Sequence, residues 1–222
     1  MTRGLSRTRP PAVSLEAGAT DGAPRCPACG EPLFVWLETL GYGAREDQII
    51  DRCENCGLAV ARDTVPSPEL AIDELLGDSE ESDQGITVRA ANAASLQAWL
   101  GAENWAALRP GDSSIKPTAR AAGLLLGRRG MLVTRVRYPA GAGMASMWQT
   151  LLNLLTFHRD FAVEALSGRL RPGSGRGRGA FALDSVITVL AAVPTAIVAV
   201  LLEGGAVLAR RGGVIEIFAR RG

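Results

Sequence analysis

The sequence predicts an α+β protein: a small four-cysteine ribbon, then a sheet interrupted by a hydrophobic two-helix insertion. Three observations carry this. Two Cys-x-x-Cys units stand in "RCPACGEP" and "DRCENCGLA". Beyond residue 85, short alternating apolar runs are separated by stretches with helical spacing. Between two of those runs lies "SVITVLAAVPTAIVAVLL", Ser185 to Leu202, without a single charge.

A length of 222 residues suits one large domain or two small ones. The formal charge is +1, so no global field selects nucleic acid or an anionic surface. Residues 1–24 hold Arg, Pro and Gly but no apolar core of a secretory signal, and read as a mobile tail. Four cysteines and no export signal place the chain in a reducing compartment, the cytoplasm, where paired cysteines are more often metal ligands than disulfides.

Residues 25–63 form the ribbon. Cys26, Cys29, Cys53 and Cys56 fall in two knuckles, each followed by glycine, Gly30 and Gly57. Two thiolates three residues apart turn inward together, and two such pairs complete a tetrahedral four-thiolate site for zinc. The β-prone runs "LFVWLETL" and "QIIDRC" flank a turn at "GYGARED", as a zinc ribbon requires. With all four ligand positions filled, no position stays open for a catalytic water, so the zinc is expected to be structural. Two disulfides or four reduced thiols are the alternatives. "ETLGYGAR" imitates a nucleotide-binding turn, but Arg45 stands where a third glycine belongs.

Residues 64–84 carry Glu69, Asp73, Glu74, Asp78, Glu80, Glu81 and Asp83 with no basic residue after Arg62, and read as one short helix followed by a solvated acidic linker. Residues 85–222 hold the remainder. Ile86–Arg89 reads as a strand, Asn92 as a turn, and Leu96, Trp99 and Leu100 as a short helix. "KPTARAAGLLLGRRG" reads as a helix capped by Thr118 and stopped at Gly127 or Gly130. "MLVTRVRYP" and "GGVIEIFARR" alternate as strands.

This order resembles the C-terminal part of class I S-adenosylmethionine (SAM)-dependent methyltransferases that carry an N-terminal four-cysteine zinc ribbon. The matching pieces are "AANAASL", with Asn92 and Ser95 in place of a "PN–S" turn, then "LGAENWAALRP", "PTARAAGLLLGRRG", "MLVTRVRYP" and a last strand "GGVIEIFARR" antiparallel to it. The resemblance implies a truncated α/β methyltransferase-like sheet. It also implies a loss: only twenty-nine residues separate Cys56 from Ile86, and no glycine-rich SAM turn occurs. Ala91 stands where the family has proline. No residue is therefore assigned to catalysis or cofactor binding, and SAM is not expected as a cofactor. The rival is a methyltransferase whose cofactor site is compressed or completed by a paralogue.

The insertion spans residues 145–207. Its first half, "ASMWQTLLNLLTFHRDFAVEAL", has helical spacing through Met147, Trp148, Leu151, Leu152, Leu155 and Phe157. Its second half contains the uncharged run, and Arg169, Arg171, Arg176 and Arg178 lie between them. Two apolar helices joined by arginines suit a bilayer interface, with attachment at the inner face of the cell membrane. Contact with a partner protein, a complete span by Ser185–Leu202, or two helices covering a soluble core are the other outcomes. A span would separate a pair of strands that the resemblance makes neighbours. Pro194 permits a kink or a re-entrant bend. The single histidine, His158, reads as a helix-end residue rather than a base. No aromatic residue interleaves the arginines, so nucleic acid is not an expected partner.

Overall fold

The structure, a computed structural model, describes residues 23–39, 48–77, 79–82, 85–109, 113–168 and 178–222. Most of the expected tail, the "GYGARED" turn and the arginines at 169, 171 and 176 lie outside the described residues.

The described elements run β1 (Leu33–Thr39), β2 (Gln48–Cys53), β3 (Ala59–Ala61), α1 (Pro68–Leu76), β4 (Ser79–Ser82), β5 (Gly85–Ala91), α2 (Leu96–Gly101), β6 (Ile115–Lys116), α3 (Ala119–Arg128), β7 (Met131–Arg137), α4 (Met144–Asn153), α5 (Phe161–Leu166), α6 (Arg178–Leu208) and β8 (Val214–Arg221). Helices and two antiparallel sheets make the chain α+β. The sheet orders are β1-β2-β3-β6 and β4-β5-β8-β7.

Local chemistry sets the helix starts. Ser67 Oγ accepts from Leu70 N–H at 3.3 Å, and Pro68 occupies the first helical position of α1. Ser95 Oγ caps α2 by accepting from Ala98 N–H, and Thr118 Oγ1 caps α3 by accepting from Ala121 N–H. β8 lies antiparallel between β5 and β7, with Val88 opposite Ile217 on one edge and Val136 opposite Ile217 on the other. Ile215, Ile217 and Ala219 are buried and reach Leu125, Leu126 and the cysteine knuckles in one continuous core. The first sheet is not closed by its own segment either, since β6 supplies its fourth strand. A second cluster forms around the buried Trp105, whose ring meets Trp36 edge to face at 6.4 Å.

Two expectations need correction. The acidic stretch after α1 is not all solvated linker: Ser79–Ser82 pairs with β5 as an edge strand. An edge strand needs only its backbone, and Arg89 supplies the missing counter-charge by meeting Glu80 at 3.4 Å and Glu216 at 2.9 Å. The first insertion helix is also not continuous. It ends at Asn153 and restarts as α5 after Asp160, which takes the left-handed conformation at φ 61°. Asn153 Oδ1 accepts from Asp160 N–H at 2.8 Å, and that bond competes with the helical ladder. Pro194, by contrast, sits inside an uninterrupted α6.

The turn that closes β5 is fastened from inside. Asn92 is buried; its Nδ2 donates to Gly212 O and its Oδ1 accepts from Ala94 N–H, each at 3.0 Å. Asn92→Ala removes both bonds and strands a buried carbonyl. A loss of about 1–3 kcal/mol is expected from the shift in the urea-unfolding midpoint, with the m-value unchanged.

Candidate metal centre, cleft and apolar helix

All four cysteines converge. Their sulfurs lie within 4.8 Å of one another, with Cys26–Cys56 at 3.5 Å, Cys29–Cys53 at 3.4 Å and Cys29–Cys56 at 3.7 Å. A disulfide would bring sulfurs to about 2 Å, whereas a tetrahedron of about 2.3 Å zinc–sulfur bonds spaces them about 3.8 Å apart. The donor set therefore fits a closed tetrahedral metal site, and a zinc ion is what four thiolates would hold.

Each knuckle repeats the same turn: Gly30 N–H donates to Cys26 O, and Gly57 N–H to Cys53 O, both at 2.8 Å. Gly57 is left-handed at φ +75°, and a β-carbon there would come within 2.7 Å of Thr118 Cγ2. Thr118 is packed close for a reason. Its hydroxyl donates to Cys56 O at 2.6 Å while capping α3, so one side chain ties the second knuckle to the next helix.

The thiols feel one another strongly. The hydrogen bond with Cys56 draws Cys26 down to about 5, and the same bond, reinforced by burial, pushes Cys56 up. Burial also raises Cys53. Four such groups cannot ionise together without a cation between them. A bound metal resolves the conflict.

Two adjoining cavities share Glu74, Ser113 and Lys116 in their walls: one of about 480 Å³ touches β5, β6 and β8, and one of about 330 Å³ lies against β2, β3 and β6. The carboxylate among these is already engaged: Glu74 accepts from the Ser114 hydroxyl at 2.6 Å and from the Ser114 backbone N–H. Burial alone would push Glu74 up, but the hydrogen bonds from Ser114 and Ser113 hold it below the ordinary carboxylate value.

α6 is built inside out. Its fully buried positions are Asp184, Ala199, Glu203 and Ala206, whereas Val189, Leu190, Val193, Ile197 and Leu201 are 60–75% exposed. At 100° per residue the exposed side chains cover roughly 200° of its circumference. Among the described residues it is the one helix long and apolar enough to cross a membrane, and 6% of its most apolar stretch is buried.

Polar groups fasten the inner stripe at three points. Asp184 accepts from the backbone N–H groups of Phe157 and His158 at 2.8 and 3.0 Å. Trp148 Nε1 donates to Ala192 O at 3.0 Å. Glu203 accepts from Gly213 N–H at 2.8 Å and Gln97 Nε2 at 2.7 Å. The outer carboxylates are nineteen residues apart, about 28 Å along the helix. Sequence reasoning singles out neither; their place on the inward side of one helix, at either end of the uncharged run, is the available signal. His158 pairs with Glu164 at 2.8 Å and stacks edge-on against Phe161, at the turn before α5, as a helix-end residue does.

No family model, no curated protein and no solved structure matches this chain.

Three outcomes test the metal centre. Cys53→Ser leaves three thiolates, and zinc content measured by atomic absorption falls from about one per chain towards zero. Because the knuckles sit in the main core, chelation lowers a single cooperative thermal transition rather than melting the ribbon alone. Gly57→Ala keeps the ligands but forces a left-handed alanine against Thr118, with an expected cost of about 1–3 kcal/mol in chemical denaturation.

Proposed function

We propose that the chain is a non-catalytic, zinc-stabilised protein of methyltransferase-like build that seats on a membrane surface through α6. The inside-out polarity of that helix carries the proposal. An interfacial helix normally turns its apolar face to the acyl boundary and a charged face to water. Here the folded body takes the place of the charged face, receiving both carboxylates, and every outward position is apolar or small.

A protein partner usually covers one stripe of a helix. An exposed arc as wide as this one is better matched by a solvent that wraps it, and hydrocarbon is such a solvent. Crossing is disfavoured by connectivity. β7 and β8 are hydrogen-bonded neighbours on either side of the segment containing α4, α5 and α6. α4 and α5 have ten and six residues, far below the roughly twenty that a span needs. A crossing by α6 alone would put paired strands on opposite sides. The helix accordingly lies in the interface plane.

The methyltransferase-like aspect of the proposal draws support from the order of the second sheet, where the last strand enters antiparallel beside β7, and from the buried Asn92 turn at the end of β5. The absence of catalysis draws support from the short interval between Cys56 and Ile86, which holds only β3, α1 and β4 with their connections and leaves little chain for a cofactor half.

Zinc-loaded protein is expected to float with phosphatidylcholine vesicles. Val189→Asp with Val193→Asp alters two residues that are 75% and 69% exposed. It should leave the melting midpoint nearly unchanged and lower vesicle partition at least about ten-fold, because each buried valine supplies about 1.5–3 kcal/mol. Isothermal calorimetry with SAM should give no saturable heat; a low-micromolar isotherm would overturn the non-catalytic reading alone.

A further inference from the structure

The two cavities around β6 are walled by residues that neither the metal centre nor the apolar helix uses. Protein interiors are close-packed, and voids much larger than a water molecule are few. At about 480 and 330 Å³ these cavities have instead the size of sites that hold small organic molecules. Alanines keep them open: Ala90, Ala91 and Ala107 line the larger, Ala59 and Ala61 the smaller. A larger side chain at Ala107 would occupy that space.

Lys116 stands in both walls and is only 7% exposed, although lysine is among the side chains least often buried. Its Nζ donates to Ser113 O, and Ser113 also lines both cavities. Each cavity adds one guanidinium, Arg89 in the larger and Arg109 in the smaller. Acids outside the linings hold both in place. Arg89 reaches Glu216 through Nε at 2.9 Å and Glu80 through Nη1 at 3.4 Å, and Arg109 Nε lies 3.3 Å from Asp160. Among the described residues, Nη2 of Arg89 and the Nη groups of Arg109 make no hydrogen bond. Glu74 is the one carboxylate in either lining, and the Ser114 hydroxyl and N–H both donate to it.

We infer that the larger cavity is a binding site for a small organic carboxylate. The acid group meets Lys116 and Arg89, and the apolar body lies against Leu75, Ala107 and Val214. The smaller cavity extends the site past Lys116 towards Arg109. A buried ammonium beside a half-exposed guanidinium favours a ligand that brings a negative charge in with it, because charge-assisted hydrogen bonds then replace lost water. The apolar walls reward a hydrocarbon body, which an inorganic ion lacks. Glu74, kept ionised at neutral pH by the hydrogen bonds from Ser114 and Ser113, opposes a second negative charge, so one carboxylate fits better than a doubly charged phosphate ester. Neither lining includes a residue of α6 or of the cysteine knuckles, so the inference goes beyond the membrane reading and does not depend on it.

Isothermal calorimetry on the full zinc-loaded chain tests the site with benzoate and two controls. Benzamide has nearly the same shape without the charge, and inorganic phosphate has charge without the apolar body. Benzoate should bind saturably, with each control at least about ten-fold weaker, because a hydrogen bond to a charged group and the burial of a ring are each worth that factor or more. Lys116→Met should lower benzoate affinity about ten-fold and Arg89→Gln about five-fold. Ala107→Leu fills the larger cavity, leaves every charge in place and should lower affinity at least about ten-fold. The Arg89 side chain is half-exposed, so Arg89→Gln keeps the test valid where Lys116→Met fails to fold. No saturable heat with benzoate, or binding that survives both Ala107→Leu and Arg89→Gln, overturns the site. Benzamide as tight as benzoate overturns the acid assignment, and phosphate as tight as benzoate overturns the organic one. None of these results touches vesicle flotation, so this site and the membrane reading fail separately.

Discussion

Strand β8 is hydrogen-bonded along both edges, and that constraint governs what the helix before it is able to do. A strand with β5 on one side and β7 on the other cannot be moved without opening the second sheet. Everything between β7 and β8 must therefore leave the body and return to the same side of it. Glu203 reinforces the return, since its buried carboxylate takes a backbone N–H from Gly213, directly before the strand begins. The carboxylate is fully buried, and its hydrogen bonds to Gly213 and Gln97 satisfy both oxygens. The long apolar helix is thus a fixed part of the surface.

The metal centre and the sheet belong to one solid. Cys26, Cys53 and Cys56 share a core with Leu125, Ile215 and Ile217, and Thr118 bonds the second knuckle to the helix that covers that core. A ribbon of some thirty residues buries too little apolar surface to persist alone. Here the cysteine cluster, which could hold a metal ion, also forms one wall of the larger core. The buried Asp51, held by two bonds from Arg62 at 2.9 and 2.6 Å, completes the ribbon's inner side.

Local patterns carry much of this fold. The cysteine spacing, the strands at Ile86–Arg89, "MLVTRVRYP" and "GGVIEIFARR", and the Thr118 cap all depend on neighbours in sequence, whereas the pairing of the last strand beside β7 is expected only through the family resemblance. What stays hidden depends on distant partners. "SEES" has no strand signature because an edge strand borrows its stability from Arg89 on the next one. The helix break at Asp160 needs the Asn153 side chain, and Asn153 reads as an ordinary helical residue. Asp184 and Glu203 resemble the charged ends of a membrane span until their partners in the 157–158 turn, on α2 and before β8 are known.

The order of elements has a consequence for biosynthesis. α6 emerges from the ribosome before β8, so during translation the helix lacks the Gly213 amide that will hold Glu203 and the strand that will draw it back to the sheet. For that interval the nascent chain exposes a long uncharged segment, the same signal by which targeting factors recognise membrane proteins. On the membrane reading proposed above, docking or threading through the bilayer is then decided by how quickly residues 212 onward follow the segment out of the exit tunnel.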